Sequence, residues 1–146
     1  GQELTNGTYT FVVTLTDQFD RVKGKANCED ALLRYPNLTA MVGLFAYNAP
    51  LCLEALKQTN KQGVVKLFSF DEADETLQGI TDGVIAGTIV QNPYEYGFQS
   101  VKLLNDIISG NTAAVPSSKF IDIPARAIDK TNVTEFWADL KKKVGA

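Results

Sequence analysis

Residues 64–97 read VVKLFSFDEADETLQGITDGVIAGTIVQNPYEYG, and their order decides the fold. A short apolar run over 64–70 ends at Asp71. A helical stretch follows, with Ala73, Leu77 and Ile80 on one stripe, and Asp82-Gly83 closes it. A second apolar run over 84–90 ends at Gln91, and Asn92-Pro93 opens another helix. Apolar runs that alternate with amphipathic helices, with no tight hairpin between runs, predict βαβ units and a parallel sheet. Ligands of such sheets bind outside the carboxyl ends of the strands. Asp71 and Gln91 both stand at carboxyl ends, so a carboxylate and an amide are expected to project from one sheet edge.

Toward the N-terminus, residues 9–15 are β-branched and aromatic and predict a strand. Thr16 or Asp17 ends it and is placed to cap the next helix. That helix is predicted from Phe19 to Tyr35, with Val22, Ala26, Cys28, Ala31 and Leu32 on its apolar side, and Pro36-Asn37 breaks it. Residues 38–46 are continuously apolar, the pattern of a strand covered on both faces. The turn 47–50 leads into a helix through Lys57, and 60–63 is a loop. Residues 1–8 are polar and turn-like and are expected to fray.

Toward the C-terminus, Asn92 caps a helix with Pro93 at its first position and Glu95 completing a capping box. Phe98, Val101, Leu104 and Ile107-Ile108 continue that helix, and Gly110 stops it. A loop over 111–118 contains Pro116. Residues 120–128 predict a strand whose Pro124 points to an edge or a bulge. Asn132 caps a last helix, with Glu135 in the box position and Phe136, Trp137 and Leu140 as its apolar contacts. Five strands and five helices result. The predicted fold class is α/β, a doubly wound, mostly parallel sheet flanked by helices.

A chain of 146 residues, 45% apolar, is long enough for one domain with a core. Its net charge is −3, and its one basic run, Lys141-Lys142-Lys143, suits the C-terminal end of a helix dipole. No basic face for nucleic acid is expected. The chain has no histidine, which excludes imidazole metal sites and Ser-His or Cys-His catalysis. No apolar stretch is long enough to span a bilayer, so no membrane insertion is expected. These residues include no signal peptide, which sets no limit on a longer precursor. Cys28 and Cys52 are too far apart for a CxxC motif. They read either as two buried small apolar residues or as a disulfide between neighbouring helices in an oxidising compartment. Asn-x-Ser/Thr triplets at Asn6, Asn37 and Asn132 are expected by chance.

The residues FDEADETLQGITDG and TIVQNPYEYG resemble the C-terminal lobe of periplasmic sugar-binding proteins of the ribose/galactose type, the solute-binding components of ABC importers. That family has a Phe-Asp after one strand, an Asp-Gly turn, and a Gln near a Pro after the next strand. Phe70-Asp71, Asp82-Gly83 and Gln91 with Pro93 stand here in that order, and the spacing from Asp71 to Gln91 fits without a gap. The resemblance implies that Asp71 and Gln91 bind sugar hydroxyls. A carboxylate accepts strong hydrogen bonds, and an amide both accepts and donates. The alternative for Asp71 is a cap on the helix at Ala73-Asp74, and for Gln91 a surface residue that ends a strand. Phe19 matches the family's aromatic that stacks on the flat face of the sugar; otherwise it is a core aromatic at a helix start. Asp17 and Asp20 read as caps, and Arg21 as solvated or ion-paired. Asn48 stands where the family places a sugar-binding Asn, but the segment 36–48 reads as longer than the family spacing, so Phe45 or Tyr47 can hold the position instead. The acidic run Asp71, Glu72, Asp74 and Glu75 reads as the first turn of a helix, and neither metal nor cofactor is expected.

The resemblance implies further that residues 1–146 are the C-terminal half of a two-lobe protein, with helix 93–109 belonging to the other lobe. The family's N-terminal lobe and the first strand and helix of its C-terminal lobe have no counterpart here. That strand lies between the strands matching 9–15 and 38–46, so an empty slot with unpaired backbone groups is expected. The missing half is expected as a second chain or as a self-associated copy. The implied function is non-catalytic binding of a monosaccharide or similar polyol, with an ABC permease as partner and a periplasmic or extracytoplasmic location. One alternative is the effector-binding domain of a LacI-like repressor. Another is a small flavodoxin-like enzyme or response domain, which a missing phosphate-binding glycine loop disfavours.

Overall fold

The sheet is built on the alternation of its two central strands. In β4 (Lys66–Phe70), Leu67 and Ser69 are buried while Phe68 faces the other side. In β5 (Gly87–Val90), Thr88 and Val90 are buried and Ile89 faces outward. β3 (Ala40–Val42) and β4 are parallel, with Met41 opposite Leu67, and β4 and β5 are parallel, with Ser69 opposite Thr88. β6 (Arg126–Ile128) closes the order β3-β4-β5-β6 antiparallel to β5. A separate two-stranded ribbon pairs β1 (Leu4–Thr5) with β2 (Thr10–Phe11). This computed structural model describes residues 4–5 and 7–145. Residues 1–3 of the expected frayed segment, and Asn6 of its triplet, lie outside the described residues.

Five helices accompany the strands: α1 (Arg21–Arg34), α2 (Asn48–Gln58), α3 (Asp74–Thr81), α4 (Pro93–Ile108) and α5 (Val133–Val144). Leu53 and Leu56 of α2, Leu77 and Ile80 of α3, and Val133 and Phe136 of α5 form one core with Leu67, Val90 and Ile128 of the sheet. α1 joins that core from outside α2 through Cys28 and Leu32. Cys28 and Cys52 form a disulfide between α1 and α2, with Cα atoms 5.3 Å apart, so the disulfide reading holds and the reading as two unbonded apolar side chains falls, although both residues are buried. Gly87 has no Cβ because one would stand 2.8 Å from the Ile128 carbonyl oxygen, so its absence lets β6 approach β5. No helix among the described residues is long and apolar enough to cross a membrane.

The mostly parallel sheet flanked by helices is the predicted architecture, and its departures have physical causes. The continuous apolar pattern of 38–46 predicts a strand covered on both faces, yet Val42 and Leu44 are 52% and 57% exposed. Phe68 and Ile89 lie on the same uncovered face, because the helices in the core all pack on the other one. Residues 9–15 contribute only Thr10–Phe11 to a ladder, and that ladder belongs to the ribbon. Among the described residues β3 is an edge of the main sheet. Of 120–128 only Arg126–Ile128 pairs, at the other edge, after Pro124 has removed a backbone donor. Leu4–Thr5 is paired where fraying was expected.

Two of the caps differ as well. α1 begins at Arg21 and is capped by Asp20, as one reading of that residue has it: its Oδ1 accepts from the Val22 and Lys23 amides at 2.8 and 3.1 Å, and neither Thr16 nor Asp17 caps the helix. Asn92 caps α4 by accepting from the Glu95 amide, while the Glu95 carboxylate accepts from Gln99 rather than closing a box. Asn132 bonds the Asp129 amide and the Ala127 carbonyl instead of its own helix. Lys141, Lys142 and Lys143 do occupy the last turn of α5.

Candidate functional site

Three adjacent parallel strands end at one edge, β3 before Gly43, β4 at Asp71 and β5 at Gln91. Neighbouring strands lie about 4.8 Å apart, so the loops that follow them form a row. Asp71 is held there by its backbone. Its amide donates to the Ile89 carbonyl at 2.8 Å, and its carbonyl accepts from the buried Thr88 hydroxyl at 2.7 Å. Its φ of 64° is left-handed, a conformation that surrounding structure must hold in place for a residue with a Cβ. That conformation leaves the side chain free of helix duty. α3 starts at Asp74 behind Ala73, with no side-chain cap. The cap reading of Asp71 therefore falls, and Asp71 and Glu72 precede the first turn rather than lying in it. Gln91 Nε2 is 3.5 Å from Asp71 Oδ1, so the two strand-end groups point into one space.

Phe19 is 75% exposed, which removes the core reading. Its ring meets Phe45 edge-on with centroids 5.2 Å apart, and Phe45 in turn stacks on Tyr47 at 6.0 Å. Arg21 lies over the Tyr47 ring at 5.5 Å instead of forming an ion pair. Asn48 bonds both its own loop and the loop of Asp17. Its Oδ1 accepts from the Phe45 amide at 3.0 Å, and its Nδ2 donates to Asp17 Oδ2 at 2.9 Å. Of the three residues weighed for that turn, Phe45 stands beside Phe19, and Asn48 shapes the turn. The structure thus forms two groups, the polar pair Asp71–Gln91 and the ring set Phe19–Phe45–Tyr47.

Burial pushes the Asp17 carboxyl up, but hydrogen bonds from Tyr47, Asn48 and the Phe19 amide outweigh it and hold the group below the usual carboxylate range. The Tyr47 phenol is pushed up by burial and by its bond to Asp17. Glu72 is raised by burial and by the neighbouring Asp71 charge, against the pull of Arg126. It lines a cleft of about 240 Å³ with Gln91, Tyr94, Arg126, Phe136 and Lys143.

Residues 2–112 match the sequence profile of the Periplasmic binding protein domain. The chain belongs to the periplasmic binding protein family. Among its relatives is the ribose import binding protein RbsB of Escherichia coli K12, 31% identical over 94 residues that make up 63% of this chain and 31% of RbsB. GanP, a glucose-galactose binding protein from Geobacillus stearothermophilus, has a similar structure, with a TM-score of 0.69 and 27% identity over 79% of this chain and 40% of GanP. AraP, an arabinose binding protein from the same organism, superposes with a TM-score of 0.70 and 27% identity over 80% of this chain and 42% of AraP. This periplasmic binding protein chain spans about a third of the length of RbsB in its match.

Two residues of this periplasmic binding protein were not singled out as site residues by the sequence. Asp17 joins the two aromatic loops, and its partners stand 30 and 31 positions away, beyond any local pattern. Gly43 has a legible signal, a glycine inside an apolar run. A Cβ there would stand 2.8 Å from the Asn48 Cβ and 3.0 Å from the Ala49 amide, so only glycine lets the loop turn back this tightly.

Proposed function

We propose that this chain carries one lobe's share of a sugar site in a solute-binding protein of an ABC importer, and that it performs no chemistry on its ligand. The observation that carries the reading is the Asp71–Gln91 pair, aimed into one space from adjacent strand ends and free of capping duty. A carboxylate beside an amide suits vicinal hydroxyls, which need acceptors and donors together. The exposed Phe19 and Phe45 rings supply an apolar surface for the C–H face of a sugar. Relatives named for ribose, glucose-galactose and arabinose support the same ligand class.

The rest of the site comes from a facing lobe. The apolar sheet face at Val42, Phe68 and Ile89 and α4, which holds no fully buried residue, are the surfaces that the other half of the protein covers. α4 belongs to that other lobe in the intact fold. Closure of two lobes around the ligand then gives a permease the form it recognises. A disulfide between α1 and α2 suits an extracytoplasmic location. The test is saturation-transfer NMR of the chain with D-ribose, D-galactose and D-glucose, a method that detects millimolar complexes. Transfer to one or more of these sugars is expected, and no transfer to any of them would overturn the reading.

A further inference from the structure

Gln18 and Phe19 are both left-handed, at φ 55° and 62°. Residues with a Cβ take that conformation only where their surroundings hold them in it. Asp17 does the holding here. Its Oδ1 accepts from the Phe19 amide at 3.0 Å, and its carbonyl accepts from the Asp20 amide at 3.0 Å. Asp17 Oδ2 accepts from the Tyr47 hydroxyl and from Asn48 Nδ2, each at 2.9 Å. Asn48 Oδ1 in turn accepts from the Phe45 amide at 3.0 Å. A continuous path of hydrogen bonds therefore runs from the Phe19 amide through Asp17 and Asn48 to the Phe45 amide. The two rings it anchors meet at 5.2 Å.

We infer that Asp17 is a positioning residue of the sugar site, which fixes the angle between the Phe19 and Phe45 rings and makes no ligand contact of its own. The reference to sugar rests on the proposed function; the ring geometry does not. Both Asp17 oxygens are spent on the protein, one on each loop. The Asn48 amide gives one acceptor and one donor to the same task and keeps its second N–H and second lone pair. Rings fixed in advance bind at a lower entropic cost than rings that must be ordered by the ligand.

Asp17→Asn tests this in the full 146-residue chain. It turns one acceptor into a donor that faces the donors of Tyr47 and Asn48. The reciprocal pair, Asp17→Asn with Asn48→Asp, restores a donor and an acceptor with the roles reversed. The first readout is the nuclear Overhauser contact between the Phe19 and Phe45 rings, measured without sugar. The second is affinity for D-ribose and D-galactose by saturation transfer. Asp17→Asn is expected to abolish the ring contact and to weaken binding about tenfold. The reciprocal pair is expected to return both toward wild type. Tyr47→Phe, a milder change, is expected to weaken the ring contact while the chain stays folded. A ring contact that survives Asp17→Asn, or a folded reciprocal pair that restores nothing, would overturn the inference. If wild type shows the ring contact and no sugar signal, the proposed function fails, and the ring readout still decides the role of Asp17.

Discussion

Asp71 shows how one residue can be decoupled from folding. Its backbone is tied to β5 on both sides, yet its carboxylate caps no helix. Asp71→Ala should therefore weaken sugar binding by about 1.5–3 kcal/mol, the range for bonds to charged groups. That loss takes a millimolar complex out of reach of saturation transfer. The urea midpoint should stay near that of wild type, and a large drop in it would return Asp71 to a structural role. Asp17 is coupled in the opposite way. Its carboxyl is held low in the folded chain, so its contribution to stability is complete above the unfolded value of about 3.9. The contribution fades as pH falls through the lower folded value. Hydrogen exchange at the Phe19 amide should accelerate in that acid window relative to amides in α2, and Asp17→Asn should remove the difference. The place of Asp71 and Gln91 was legible in the sequence because a strand end is a local event. The clasp on Asp17 was not, since Tyr47 and Asn48 reach it only through the tertiary fold.

At the scale of elements, the alternation of runs and helices over 64–97 carried the parallel core intact, and β4, α3, β5 and α4 all fall where it put them. The failures are the outer strands. β-propensity over 9–15 and 120–128 reports that a segment suits a sheet, and only pairing makes it a strand. Residues 9–15 find no neighbour in the main sheet, and 120–125 lie before the short ladder of β6. The cysteine pairing was equally out of reach, because a 5.3 Å Cα separation is a property of how α1 lies on α2. With its ends separated by 24 positions in sequence, the disulfide should contribute about 3–4 kcal/mol by restricting the unfolded chain. Cys28→Ala with Cys52→Ala should lower urea stability by that amount, and dithiothreitol should leave the double variant unaffected. An unchanged midpoint would mean that the α1–α2 packing carries the load alone.

Over the chain as a whole, apolar side chains divide between a buried core and exposed positions on the sheet and α4. Core residues such as Leu67, Leu77 and Ile80 are fully buried, while Phe68, Phe98 and Ile108 are 43%, 55% and 85% exposed. Apolar area of that kind drives association in water. The purified chain should therefore run above its 15.9 kDa mass in size exclusion with light scattering at micromolar concentration. On the proposed division of the site between two lobes, it should also bind monosaccharides no better than millimolar, because a site open on one side leaves the ligand partly wet. A stable monomer with tight sugar binding would show that the lobe is self-sufficient. The register of the last strand has an engineering consequence. Val90 sits opposite Arg126, so the chain leaves the sheet and re-enters it at neighbouring points after the whole of α4 and its loop. That excursion touches the rest of the chain at few points, among them Gln91 at Asp71 and Tyr94 under Lys143, and a two-residue Asn-Gly turn is the natural graft across the gap between antiparallel neighbours. A miniaturised chain with residues 91–125 excised in this way should keep the disulfide and unfold cooperatively, at a midpoint close to that of the parent.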